Sequence, residues 1–156
     1  MKVIRALLSV SSLFFLCGCG DNINKVPQAR QPIVGTWRLI TGIIINNGDT
    51  VQTDYTKTRS FIKIINDTHF AFLKHDLKNG KDAVTAAYDS GGGTYTLTDS
   101  IYTEHLEYCM ERVWEGNDFK FTVTIKQDTL VQTGVEKIEK IGVNRLNIEK
   151  YVRLNK

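Results

Sequence analysis

Phe119-Lys120-Phe121-Thr122-Val123-Thr124-Ile125-Lys126 alternates apolar and polar side chains over eight consecutive positions. Successive side chains of an extended chain point to opposite faces. This stretch therefore buries one face and wets the other, the pattern of an antiparallel sheet. Gln127-Asp128 then reads as a turn, and Thr129 to Thr133 as the start of the return strand. Working outward, period-two runs recur at Gly35–Ile45, Val51–Tyr55, Arg59–Ile65, His69–Leu73, Ala83–Tyr88, Gly93–Thr98, Ser100–Cys109 and Arg145–Leu154. Turn clusters such as Asn46-Asn47-Gly48-Asp49, Asn66-Asp67, Asn79-Gly80 and Gly91-Gly92 separate them. No stretch of helical length carries an apolar stripe, although Glu136 to Ile141 has room for one turn. About ten short strands at this spacing predict an all-β sandwich or barrel, and hairpin succession favours an up-and-down barrel of roughly 8–10 strands. Closure removes the unpaired edges that an open sheet must protect.

Composition narrows the function classes. The chain has 156 residues, of which 42% are hydrophobic and 24% charged, which suits one globular domain and excludes general disorder. Three cysteines are too few for a disulfide framework or a four-cysteine zinc site. Two of the positive charges behind the formal +3, Lys2 and Arg5, lie in a segment that reads as removable. Without them no electrostatic case for nucleic acid remains.

That segment is the clearest address. Lys2 and Arg5 precede an apolar run from Ala6 to Leu16, too short to span a bilayer, which takes about 20 residues. Leu16-Cys17-Gly18-Cys19 follows and resembles a bacterial lipobox. The resemblance implies a lipoprotein signal peptide over 1–18, cleavage before Cys19 and acylation of its thiol, so that the protein is held on the membrane through Cys19. Two or more acyl chains anchor stably. Residues 19–33 are polar, carry Pro27 and Pro32, and show nothing to bury, so they read as a flexible tether. The barrel is then expected over 34–156. Localisation in the bacterial cell envelope follows, at the outer membrane, with the periplasmic or surface face left open.

Gly35-Thr36-Trp37-Arg38-Leu39 is similar to the Gly-x-Trp opening of lipocalin-like domains. Ser60 to Ile64, Gly93-Thr94-Tyr95, Tyr102-Thr103-Glu104-His105-Leu106-Glu107 and the closing Glu149-Lys150-Tyr151-Val152-Arg153 resemble uncharacterised lipocalin-like lipoproteins and secreted proteins of the Bacteroidota. The resemblance spans most of Val34 to Asn155 and implies an antiparallel barrel of calycin type. It implies neither a ligand nor catalytic residues. In such barrels the first-strand tryptophan closes one end beneath an arginine of the last strand, and Trp37 and Arg153 are the matching pair. A guanidinium over an indole supplies a cation–π contact.

Candidate site residues follow from alternation. In Tyr102–Cys109 the face with Tyr102, Glu104, Leu106 and Tyr108 is expected inside, and that with Thr103, His105, Glu107 and Cys109 outside. An inward Glu104 needs a partner or a raised pKa; Arg38 or Arg59 is the expected partner, unless the carboxylate sits hydrated at the mouth. Tyr95, Leu97, Tyr102, Leu106, Phe119, Phe121 and Val123, with Glu104 as a polar group, are the candidate lumen lining. His105, Glu107 and Cys109 read as solvated surface rather than a metal corner or nucleophile–base pair. No phosphate loop or catalytic motif occurs, so no catalytic residue, metal or cofactor is assigned. Asp49-Thr50-Val51, Asp99-Ser100-Ile101 and Asp128-Thr129-Leu130 resemble Bacteroidota O-glycosylation acceptors and equally suit turns.

The expected function is non-catalytic binding of a small apolar or amphiphilic ligand in the barrel. The alternative is a side-chain-filled barrel acting as a structural or protein-interaction module of the envelope. An enzyme is the least supported.

Overall fold

The computed structural model describes residues 32–154. The segment expected as signal peptide, Cys19 and the expected tether up to residue 31 lie outside the described residues. Nine strands form one antiparallel sheet: β1 (Gly35–Asn46), β2 (Asp49–Asp54), β3 (Arg59–Ile65), β4 (His69–Asp76), β5 (Tyr88–Thr98), β6 (Ile101–Cys109), β7 (Asn117–Lys126), β8 (Thr129–Ile138) and β9 (Val143–Arg153). From β3 to β9 each strand pairs with the next in sequence, and β9 returns to β1 over Trp37↔Arg153 to Ile45↔Leu146. Eight strands therefore close into an up-and-down, calycin-like barrel, and β2 is the extra strand.

β2 and β3 share one edge of β1. β2 pairs with Thr41 to Asn46, and β3 pairs with Gly35 to Arg38. Between them a single helical turn, α1 (Tyr55–Thr58), breaks the ladder, capped by Asp54, whose carboxylate accepts from the Thr56 N–H at 2.9 Å. The β1–β2 hairpin turns through Asn47 and Gly48, both at positive φ (51° and 90°), the backbone that two-residue hairpin loops require.

The narrow end is packed solid. Trp37, Leu39, Ile65, Phe70, Tyr102, Val123 and Leu130 are all buried there, each worth about 1.5–3 kcal/mol for a large apolar side chain removed from water. Ile33, read as tether from sequence, is 0% exposed and Val34 is 4% exposed. The barrel domain thus begins earlier than its strand pattern shows, because a single apolar residue beside a proline carries no periodicity. Trp37 donates its indole N–H to the Ile33 carbonyl at 2.7 Å. The Arg153 guanidinium lies 4.0 Å above the Trp37 ring and donates to the carbonyls of Val34, at 2.8 Å, and Pro32.

Two expectations about strands are overturned. Ala83–Ala87 is no strand, and only Tyr88 of the expected run belongs to one, β5: Asp82 gathers the segment into a turn, its carbonyl accepting from the N–H groups of Thr85 and Ala86 and its carboxylate from Val84. Gly91-Gly92-Gly93, expected to permit a tight turn or bulge, make no turn but lie inside β5, and the register of β5 on β6 does shift between Gly92 and Gly93. A Cβ on Gly93 would fall inside contact distance of the His105 carbonyl oxygen, so the glycines serve a close approach of β5 and β6.

Candidate functional site

The closely packed strands β5 and β6 carry an irregularity that decides which side chains reach the interior. Gly92 pairs with Tyr108 and Gly93 with Leu106, leaving Glu107 as the extra residue of a bulge. Alternation holds from Tyr102 through Glu104 to Leu106 and then flips. Tyr108, expected inside, is 68% exposed. Cys109, expected outside, lines the interior. The His105–Glu107–Cys109 trio is thereby split. His105 faces out to Asp118 at 2.8 Å, and Glu107 accepts from the Thr94 N–H and hydroxyl.

Toward the wide end the barrel holds a cavity of about 400 Å³. Glu104, Leu106, Phe119 and Phe121 of the candidate lumen residues line it; Phe61, Phe72 and Trp114 extend its apolar wall. Tyr102 and Val123 lie in the packed layer outside that lining, Tyr102 with its ring 5.2 Å from that of Tyr95. Tyr95 and Leu97 pack against the core from β5, and the Tyr95 hydroxyl donates to the Asn66 carbonyl. Those four inward positions are consumed by core packing because they stand at the closed end.

The polar content of the cavity exceeds what the sequence indicated. Lys63 of β3, 3% exposed, donates to Glu104 Oε1 at 2.6 Å and to Gln132 Oε1 at 3.1 Å. Gln132 Nε2 in turn donates to Glu149 Oε2 at 2.7 Å, and the Tyr151 hydroxyl donates to the same oxygen at 2.7 Å. The partner of Glu104 is therefore Lys63 and not Arg38 or Arg59, both of which are exposed. Nearer the mouth, Arg145 Nε lies 2.6 Å from Glu136 with its guanidinium 5.2 Å from the Trp114 ring, and Lys74 pairs with Asp89 at 2.6 Å.

Burial raises the Glu149 carboxyl above its ordinary value, with Lys63 opposing the shift. Burial likewise pushes the Tyr151 and Tyr102 phenols well up, and the Cys109 thiol up. The Tyr102 hydroxyl is buried with no hydrogen-bond partner among the described residues. Sequence reasoning missed Lys63, Gln132, Glu149 and Tyr151. The signal was there: Lys63 and Gln132 stand in register with inward Phe61, Ile65 and Leu130, so a lysine and a glutamine occupy core positions. Of the three Asp-Ser/Thr-aliphatic tripeptides, Thr50 and Ser100 are exposed and Thr129 is half-buried.

No family model and no curated protein matches the chain. Several solved structures are similar to it, two of them as follows. One is the crystal structure of an uncharacterised protein from Bacteroides eggerthii DSM 20697, 14% identical, covering 78% of this chain and 98% of that one with a TM-score of 0.48. The other is a variant of the fluorescent protein UnaG, 11% identical over 80% of this chain and 97% of that one, with a TM-score of 0.36. By its own strand pairing the chain is a closed eight-stranded antiparallel up-and-down barrel with one added strand.

Proposed function

We propose that this chain is a lipid-anchored protein of the bacterial envelope whose barrel binds a small amphiphilic molecule without transforming it. The observation that carries the binding part is the cavity itself. At about 400 Å³ it falls toward the lower end of the roughly 300–1,000 Å³ typical of small-molecule sites, and it combines aromatic walls with a few fixed polar groups. Anchoring rests on the lipobox-like Leu16-Cys17-Gly18-Cys19, and kinship with the Bacteroidota lipocalin-like lipoproteins rests on the motifs around Trp37, Tyr95, His105 and Tyr151. The non-catalytic reading rests on the scattering of His105, Glu107 and Cys109 over different faces.

Leu106→Trp tests the binding. A ring at this cavity-lining position fills the space, so saturable binding of a fluorescent amphiphile is lost at modest cost in stability. A wild-type chain that retains nothing and binds no probe sinks the reading. Cys19→Ala tests the anchor, since it abolishes incorporation of a fatty-acid analogue; unchanged labelling refutes the lipoprotein.

A second reading, a protein-interaction module, has its own observation. Val84 (94% exposed), Tyr88 (58%), Tyr108 (68%) and Met110 (53%) stand on or beside the β4–β5 and β6–β7 connections. Loss of a partner on Tyr108→Ser, with probe binding intact, separates the two roles.

A further inference from the structure

The charged groups of the cavity do not balance. Asp89, Glu104, Glu111, Glu136 and Glu149 face only Lys63, Lys74 and Arg145 across the lining. Each of those three cations is already committed to a carboxylate at 2.6 Å: Lys63 to Glu104, Lys74 to Asp89, Arg145 to Glu136. An incoming anion therefore meets no free cation in the wall and would have to break an existing pair, leaving a largely buried carboxylate without its cation.

Glu149 is in the opposite position. It lines the cavity, and among the described residues no cation lies within ion-pairing distance of it. Its Oε2 takes both available bonds, from Gln132 and Tyr151, and these orient the carboxyl group. The remaining oxygen has no bond from the described residues. The facing charges are Lys63, Glu104 and Glu136, two of them acidic. Tyr55, held by α1, lines the same cavity and feels Glu149 directly. Its ring packs on that of Phe61, which stacks on Phe72 at 5.8 Å, so apolar surface and π faces line the same cavity as this carboxyl.

We infer that the amphiphile carried by the barrel is a cation, an amine or other ammonium compound on an apolar body, with Glu149 as the anion that receives its head group. The inference rests on the binding function proposed above and assigns the charge of its ligand. The five-to-three wall excludes fatty carboxylates, and the enclosed volume excludes two-chain lipids. Glu104 cannot take the role of Glu149, because Lys63 neutralises it.

Three ligands of one chain length decide the matter: decylammonium, decanoate and decanol, each titrated below its micelle concentration into the full chain by calorimetry. The expected order is decylammonium tightest, by at least about tenfold over decanoate, a gap of about 1.4 kcal/mol. Glu149→Gln should bring decylammonium down to about the affinity of decanol. Decanoate binding as tightly as decylammonium, or a decylammonium affinity indifferent to Glu149→Gln in a folded variant, overturns the inference while the cavity keeps its binding role. Binding of none of the three overturns both. The wild-type comparison needs no variant, so misfolding of Glu149→Gln cannot mask the answer.

Discussion

Lys63 and Glu104 meet 2.6 Å apart although their strands, β3 and β6, are not neighbours in the sheet. The pair spans the interior, joining opposite sides of the barrel beneath the cavity, with side chains only 3% and 9% exposed. Three aromatic rings, Phe70, Tyr102 and Tyr151, lie within 5.9 Å of the ammonium group.

Removing one member of this pair leaves an uncompensated buried charge. Lys63→Met should cost about 3–5 kcal/mol, whereas Lys63→Met combined with Glu104→Leu should recover most of that loss. Urea denaturation of both variants checks it. A double variant as unstable as the single one would show that the lysine acts through packing alone.

Tyr102→Phe is expected to be nearly neutral, within about 1 kcal/mol, because the hydroxyl it removes is buried without a partner among the described residues. Tyr151→Phe, in contrast, deletes a bond to Glu149 and should cost more. Thermal melts of the two variants, side by side, give the comparison.

Glu149 sets a pH dependence whose sign follows from burial. Its carboxyl is raised in the folded chain, so its contribution to stability is complete below the unfolded value and is lost as pH rises through the folded value. Glu149→Gln should therefore stabilise the empty barrel at pH 8 and do nothing near pH 4. Measured melting temperatures should diverge with rising pH. Cation binding should run the other way, weakening as acid protonates the carboxylate.

Cys109 lines the cavity and burial raises its thiol, so iodoacetamide should alkylate it far more slowly in the native chain than in denaturant. A bound ligand should slow it further. Labelling at the rate of a free thiol would place Cys109 outside.

How much of this was legible can be read from two strands. β7 was plain in the sequence because Phe119 to Lys126 alternates without a break, and Phe119 and Phe121 reached the cavity wall. β6 was legible only as far as Leu106. The bulge at Glu107 depends on how closely β5 can approach, which is a property of the pair and leaves no mark in the alternation of either strand. The polar network was hidden for a related reason: Lys63 and Glu104 are 41 residues apart, and only closure of the cylinder makes them partners. Volume, too, is decided by which inward residues meet at the narrow end, so Tyr95 and Leu97 went to the core.

The Arg153 clasp on Pro32 and Val34 has a mechanical consequence. The polypeptide enters the domain at the closed end, opposite the mouth. A pull transmitted from residues before Pro32 is borne first by the guanidinium bonds and by the Trp37 indole bond to Ile33. It then loads β1 where it is held between β3 and β9, the seam that closes the cylinder. Strain of this kind starts at the floor and must travel the length of β1 before it reaches Gly42 and Ile44 at the cavity. Force entering from the N-terminal side is thus taken up at the packed end of the barrel before it can act on the cavity-lining part of β1.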